Sequence, residues 1–502
     1  MDIFMLFPVI IVLSVTCIFL YTLTCNRSSM TVPPSPPKLP IIGNLHQLLG
    51  KSRHEALWQL SKQYGPVMQI LIGSKQFLII SSPMTAKQVL KTQDHIFCSR
   101  PMSHAVQRLT YNYSDVAFAP HSDHWREMRK LLVSEFLGPK KAHLFNHVLM
   151  MEIESIVRSI ELHPSNAAVN LNELFFATIK GVMCKMAFGN NYRRQPLKGP
   201  SLEVMIYEVQ GMLGGWLGDN FPGLLGRIID LFSGWNRKLQ KCFSNLDAYI
   251  DTIIDDHYNQ SVAEVSDDDK DFVHSLLELS LKEDVDRHPL TREDVKALIM
   301  DVIIGGIDTT VVTMVWAMSE IVRSDRVMQK LQSEIRSGIR RKQKVDEDDI
   351  IKMTYLKMVV KETLRLHPPA PLLMPHESLS HCQIESYDVA PRTIALINAW
   401  GMGRDPRIWG ENAAEFYPER FENFEVDFEM LPFGGGRRSC PAVNTSPATV
   451  ELVIANLLYS FNWEVGDGMK NGDLNMQEVV GSLVARKNLP LCLVPTKYNQ
   501  EE

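Results

Sequence analysis

Between residues 55 and 360 the apolar positions recur at helical spacing, as in Leu239, Phe243, Leu246, Tyr249, Ile250 and Ile253. No Pro- or Gly-rich break after residue 40 divides the remainder of the chain. A chain so patterned folds as one large helical domain rather than as a string of modules. The runs 67–72 (VMQILI) and 77–80 (FLII), separated by a turn that opens on Gly73-Ser74, predict a hairpin. The fold class is therefore mainly α with a small β region. Hydrophobic residues make up 45% of the 502, enough for a sizeable core. The acidic stretch 264–271 is expected to be a solvated loop.

From Ile3 to Leu23 the chain is almost continuously apolar, long enough to cross a bilayer as a helix of about 20 residues. Asp2 stands where a cleaved signal peptide would be basic, so the segment reads as a membrane anchor, an N-terminal transmembrane helix. Arg27 and Lys38 come after it and nothing basic precedes it, which leaves the body cytosolic. The stretch from Pro33 to Pro40 favours a stiff polyproline conformation. The expected organisation is an anchor over 1–24, a linker and Pro-rich hinge over 25–40, and a catalytic domain over 41–502. With that topology the sequons at Asn26, Asn112, Asn259 and Asn444 face away from the glycosylation machinery. A net charge of -6 and the lack of a long Lys/Arg run make nucleic acid a poor partner. The eight cysteines are scattered, with no CxxC pair, as suits a reducing compartment.

One cysteine is different. Phe433-Gly434-Gly435-Gly436-Arg437-Arg438-Ser439-Cys440-Pro441 is a three-glycine loop leading into a segment rich in Ala, Val and Leu. Glycines let a flat macrocycle approach the backbone closely. Pro441 suits the first turn of a helix, which would put Cys440 at a helix N-terminus, where the dipole favours a thiolate. A thiolate on haem iron favours O-O cleavage. A second feature is Gly305-Gly306-Ile307-Asp308-Thr309-Thr310, inside a helix predicted from a capping box at Thr291 to about Arg323. Each internal glycine costs a helix roughly 1 kcal/mol relative to alanine, so the pair implies a purpose, either close packing or a gap.

These motifs resemble those of the cytochrome P-450 family, specifically its large plant microsomal group. Phe433, Gly436, Arg438 and Cys440 match the family loop, while Ala442 replaces a usual Gly and Ser446 a usual Ala. Pro447 falls inside the expected helix, where it is predicted to remove a hydrogen bond. The resemblance implies the cytochrome P-450 fold and haem b held by Cys440. It implies a gap for dioxygen over Gly305 and Gly306, with Asp308 and Thr309 as the catalytic proton relay. Arg100, Trp125, Arg129, His376 and Arg438 are the implied propionate partners, the charge of His376 depending on pH. Glu362, Arg365 and Arg420 are implied to form a buried structural network behind the loop.

The implied reaction inserts one oxygen atom into a small, largely apolar substrate, with electrons from a membrane-bound NADPH-dependent reductase. Arg126, Lys130, Lys140, Lys141 and Arg437 are candidates for the reductase face. The implied substrate contacts lie in 106–116, 211–216, 301–305, 372–374 and 482–485. Alternatives are a haem-thiolate isomerase or dehydratase that uses no external dioxygen, and a non-catalytic membrane scaffold. His376 and His381 are five apart, so they do not form a zinc-protease pair, and no dinucleotide, GxSxG or Walker motif is present.

Overall fold

The computed structural model describes residues 31–164, 166–189, 199–214, 218–221, 223–259, 270–282, 289–339, 342–466, 468–480 and 483–499. The anchor over 1–24, most of the acidic stretch 264–271, and positions 215, 216 and 482 of the substrate segments lie outside the described residues. The body is organised by the helices α1 Arg53–Tyr64, α2 Asp123–Leu131, α3 Pro139–Glu161, α4 Leu171–Phe188, α5 Leu202–Leu213, α6 Trp235–Asn259, α7 Phe272–Leu281, α8 Arg292–Gly306, α9 Asp308–Arg323, α10 Asp325–Gly338, α11 Thr354–Leu366 and α12 Thr445–Ser460.

α8 and α9 form the central rod, packed against α4, α11 and α12. Trp316, Met314 and Met318 in α9 are fully buried. The 32-residue run Arg292–Arg323 is apolar enough to cross a membrane, but 78% of its most apolar stretch is buried inside the protein, so it is the core helix. Its start is as predicted: Thr291 and Asp294 form a reciprocal capping box. Its interior differs from prediction, because the helix is interrupted at Ile307. The Ile307 amide reaches the Ile303 carbonyl only at 3.4 Å. Thr309 Oγ1 donates to the Gly305 carbonyl at 2.7 Å and Thr310 Oγ1 to that of Gly306 at 3.0 Å. Hydroxyls bonding four residues back compete with the backbone ladder and bend helices.

The predicted hairpin is present as antiparallel strands over 67–72 and 75–80. Gly73 turns between them at φ 59°, and a Cβ there would lie 2.0 Å from the Asn220 carbonyl oxygen, so only glycine fits. The second strand pairs in parallel with 394–397, which also takes 376–377, completing a four-stranded sheet. A three-stranded sheet and a short hairpin (382–384 with 387–389) make up the rest of the described β structure.

The proline-rich stretch is docked on the body. Pro33 and Pro36 are buried, three apart, which is one polyproline turn. Asn44, fully buried, donates through Nδ2 to the Pro36 and Pro37 carbonyls at 3.2 and 3.3 Å. Its Oδ1 accepts from the Leu71 amide at 2.8 Å.

Candidate functional site

The glycine loop is folded by its own backbone. Gly434 and Gly436 have φ 67° and 65°, and a Cβ on Gly436 would sit 2.1 Å from the Leu90 carbonyl oxygen. The Cys440 amide closes the loop onto the Phe433 carbonyl at 2.9 Å, and the Ser439 amide bonds that of Gly436 at 3.1 Å. Arg129 Nη2 donates to the Ser439 carbonyl at 2.7 Å.

Two expectations about the helix after the loop are corrected. Pro441 opens a turn, not a helix; the regular helix begins at Thr445, so Cys440 stands five residues ahead of it. Pro447 therefore lies in the first turn, where amides have no intrahelical partner, and its missing N-H breaks no ladder bond. The help to a thiolate comes instead from the Ala442 amide, which hydrogen-bonds the sulfur, and from the Arg129 charge. Burial outweighs both in the protein matrix alone and pushes the Cys440 thiol above its usual range. Ala442 is absent from the positive-φ residues, so no glycine is required there.

The implied propionate partners cluster around the 115–119 segment. Arg438 donates to the Cys98, Val116 and Ala119 carbonyls at 2.7, 3.3 and 2.6 Å and stacks on Trp125, 3.8 Å from the ring centroid. Arg100 donates to the Ala117, Met374 and Pro375 carbonyls at 3.1, 3.1 and 2.9 Å. Trp125 Nε1 donates to the Val116 carbonyl at 3.0 Å. Burial brings Arg100 down to about 9 and Arg438 to about 10, so each charged guanidinium would gain from an anionic partner.

His376 departs from expectation. Its Nδ1 faces the Phe97 carbonyl at 2.8 Å, which can only accept, so Nδ1 carries the proton. Burial and then Arg100 hold the ring well below the ordinary histidine range. That environment favours the neutral ring.

Sequence reasoning missed the pair that shapes this segment. Asp301 Oδ2 accepts from the Val116 amide at 2.6 Å, and Asp115 Oδ2 from the Phe118 amide at 2.7 Å. Burial raises Asp115 to about 6, and burial together with the charge of Asp115 raises Asp301 well above the carboxylate range. Asp301 stood within a substrate segment, but nothing in its spacing pointed across 185 residues to an amide.

On the central rod, Gly305 is exposed between buried Ile304 and half-buried Gly306, and no atom lies within 4 Å of where its side chain would begin. The pair divides: Gly305 borders open space, whereas a Cβ on Gly306 would stand 3.1 Å from the Met183 sulfur, so the second glycine serves close packing. Asp308 is 1% exposed and gripped by Arg486, Nε to Oδ1 at 3.0 Å and Nη2 to Oδ2 at 2.8 Å. Arg486 also bonds Gln210 and lies 4.2 Å above the Tyr207 ring. None of these three partners was named from the sequence.

Behind the loop, Glu362 is fully buried and accepts from Arg365 at 2.6 and 2.7 Å and from Arg420 at 2.9 Å. Both arginines direct their remaining donors to backbone carbonyls between residues 403 and 415. Of the basic residues considered for a partner face, Arg126, Lys130 and Arg437 are exposed, Lys141 bonds the Lys270 carbonyl, and the side chain of Lys140 is outside the described residues.

The residues present fit a haem: a loop cysteine with an amide and an arginine beside its sulfur, a cluster of buried arginines, and open space beside Gly305. The family model described as cytochrome P-450 matches residues 33–493. Parthenolide synthase of Tanacetum parthenium is 53% identical over 486 residues, covering 95% of each chain. Eupatolide synthase of Helianthus annuus is 43% identical over 499 residues, 99% of this chain and 98% of that one. A zebra fish cytochrome P-450 solved with progesterone overlays with a TM-score of 0.77 at 20% identity, over 89% of this chain and all of that one, a likeness of fold.

Proposed function

The chain belongs to the cytochrome P-450 family, whose members carry haem iron on a cysteine thiolate, and from that premise we propose that it oxygenates a small, largely apolar plant metabolite. The observation that carries the reading is the loop around Cys440, where Gly434 and Gly436 take positive φ and a Cβ on Gly436 would strike the Leu90 carbonyl. Bound haem supplies the iron that activates dioxygen, one atom entering the substrate and the other leaving as water.

Cys440 is the metal ligand, its thiolate held by the bound iron and assisted by the Ala442 amide and Arg129, which by themselves do not offset burial. Arg100, Trp125, Arg129, His376 and Arg438, with Phe433, bind the cofactor. Release of Arg100 or Arg438 from its carbonyls gives a propionate a charged donor. Thr309 donates its proton to the Gly305 carbonyl, which leaves its oxygen free to accept one at the gap. Asp308 delivers protons to that position only when Arg486 loosens its bidentate grip.

Electrons come from an NADPH-dependent reductase docking over Arg126, Lys130 and Arg437, and the protein sits in the endoplasmic reticulum membrane with its body in the cytosol. The two relatives named for parthenolide and eupatolide direct the first substrate trials to the precursors of those compounds. The scaffold alternative loses its motive, since Ala442 keeps its amide on the sulfur and Pro447 occupies a first turn.

The test is a carbon-monoxide difference spectrum of the reduced protein, and then turnover with reductase and a panel of such precursors. A strongly red-shifted band that vanishes in Cys440→Ser is expected, with products heavier by one oxygen. Turnover without NADPH or oxygen would overturn the monooxygenase assignment.

A further inference from the structure

Away from the loop, three side chains converge where α6 ends and α7 begins. His257 lies in the last turn of α6, Asp271 caps α7, and His274 is three residues on. All three are buried, at 5, 5 and 6% exposure. Asp271 Oδ2 is 3.1 Å from His257 Nε2 and 2.8 Å from His274 Nδ1. The three candidate ligand atoms all lie within 4.8 Å of one another.

Donors and acceptors do not balance in this cluster. His257 Nδ1 is 2.6 Å from the Ile253 carbonyl, which only accepts, so that nitrogen carries a proton. His257 Nε2 then presents a lone pair to a carboxylate oxygen, unless the ring takes a second proton or a cation lies between them. Among the described residues, Asp271 Oδ2, 2.8 Å from Nδ1, is the one acceptor beside the buried His274 ring, and it lies outside good hydrogen-bond geometry. Asp271 cannot turn away, because its Oδ1 accepts from the His274 amide at 2.9 Å. Gly189, ending α4 at φ 71°, makes room for Oδ2: a Cβ there would stand 2.8 Å from it.

We propose that His257, Asp271 and His274 bind a first-row divalent cation, zinc foremost, that staples α6 to α7. Two imidazoles and one carboxylate, with water in the fourth position, are a zinc ligand set. Bonds of about 2.0–2.2 Å in tetrahedral geometry separate ligand atoms by roughly 3.3–3.6 Å, so modest spreading of the triad admits the ion. The Ile253 carbonyl on Nδ1 and the His274 amide on Oδ1 are the outer partners that fix ligands in metal sites. Nitrogen donors disfavour magnesium and calcium, which take oxygen. The site draws on none of the haem-site residues, so it stands whatever the enzyme oxidises.

The test uses the full-length holoenzyme, stripped with a chelator and dialysed against micromolar zinc chloride. Zinc per haem, read by mass spectrometry, is expected near one in the parent protein. It is expected to fall at least tenfold in His257→Gln and His274→Gln, while His163→Ala, an exposed histidine elsewhere, keeps it. Equal zinc in the parent and both variants overturns the proposal, as does negligible binding to the parent. Should the variants fail to hold haem, the parent alone decides. Zinc at a hundredfold excess over its dissociation constant should raise the melting temperature by about 2–3 °C, and no rise overturns it.

Discussion

Replacing Arg486 by Leu removes the one cation that, among the described residues, grips both oxygens of Asp308. Asp308 is 1% exposed, so the orphaned carboxylate has no water to turn to. Losing one partner of a buried, bidentate pair costs about 3–5 kcal/mol. A 502-residue chain unfolds with an entropy near 1 kcal/mol per degree, so the melting temperature should drop by roughly 3–5 °C. Asp308→Asn, which leaves Arg486 charged beside Gln210, should cost a similar amount. In the double variant neither charge is stranded, and the loss should be smaller than the sum of the singles by about 2 kcal/mol or more.

Thermal unfolding monitored by haem absorbance, across the four proteins of this cycle, measures the coupling. Strict additivity would refute the claim that the pair is a single energetic unit. Turnover separates the two roles. Asp308→Asn removes the acid and should slow product formation about a hundredfold. Arg486→Leu keeps the acid and only frees it, so at least a tenth of the parent rate should survive. Equal losses in the two variants would mean that Asp308 serves only to hold Arg486.

Gly436→Ala should abolish haem incorporation, read from the difference spectrum, since its Cβ would overlap the Leu90 carbonyl oxygen at 2.1 Å and its φ is 65°; Ala442→Gly should change little, because Ala442 has an ordinary backbone. Burial raises Glu451 to about 7, so between the unfolded value near 4.3 and about 7 the folded state holds the extra proton and stability falls as pH rises. The melting temperature of the parent should fall across that window, while that of Glu451→Gln should stay level. Asn44→Ala leaves the Leu71 amide without its acceptor and should cost about 1–3 kcal/mol, with faster proteolysis between residues 31 and 40.

What the sequence disclosed and what it concealed divide along sequence distance. The capping box at Thr291, the hairpin turn at Gly73 and the Glu362–Arg365 pair are local: each partner is within a few residues, so spacing alone carries the geometry. The loop was legible only together with the other motifs that accompany it in family order, since a glycine-rich turn before a cysteine fits a buried structural thiol equally well. The break at Ile307 was not, although its cause was in view: threonines at 309 and 310 sit four residues after Gly305 and Gly306, and the hydroxyl bonds they make loosen the ladder. The Asp308–Arg486 and Asp301–Val116 contacts span 178 and 185 residues, and a single arginine or aspartate carries no period that could announce its partner.

That distance also explains what such contacts are for. A buried ion pair is a poor source of net stability compared with apolar packing, because desolvating both charges offsets most of their attraction. Its effect is on geometry. Arg486 stands in the C-terminal segment that also presents Val484 and Ala485, and it joins that segment to Asp308 on the central rod and Gln210 on α5. The three elements are among those expected to line the substrate chamber, so one guanidinium sets their mutual spacing. On the proposed relay, a substrate that displaces Gln210 or the C-terminal segment would disturb the grip on Asp308 and so link binding to proton supply through a single side chain. The linkage requires Gln210→Leu, which loosens Arg486 without touching Asp308, to raise NADPH consumption in the absence of substrate; a rate equal to the parent's would break it.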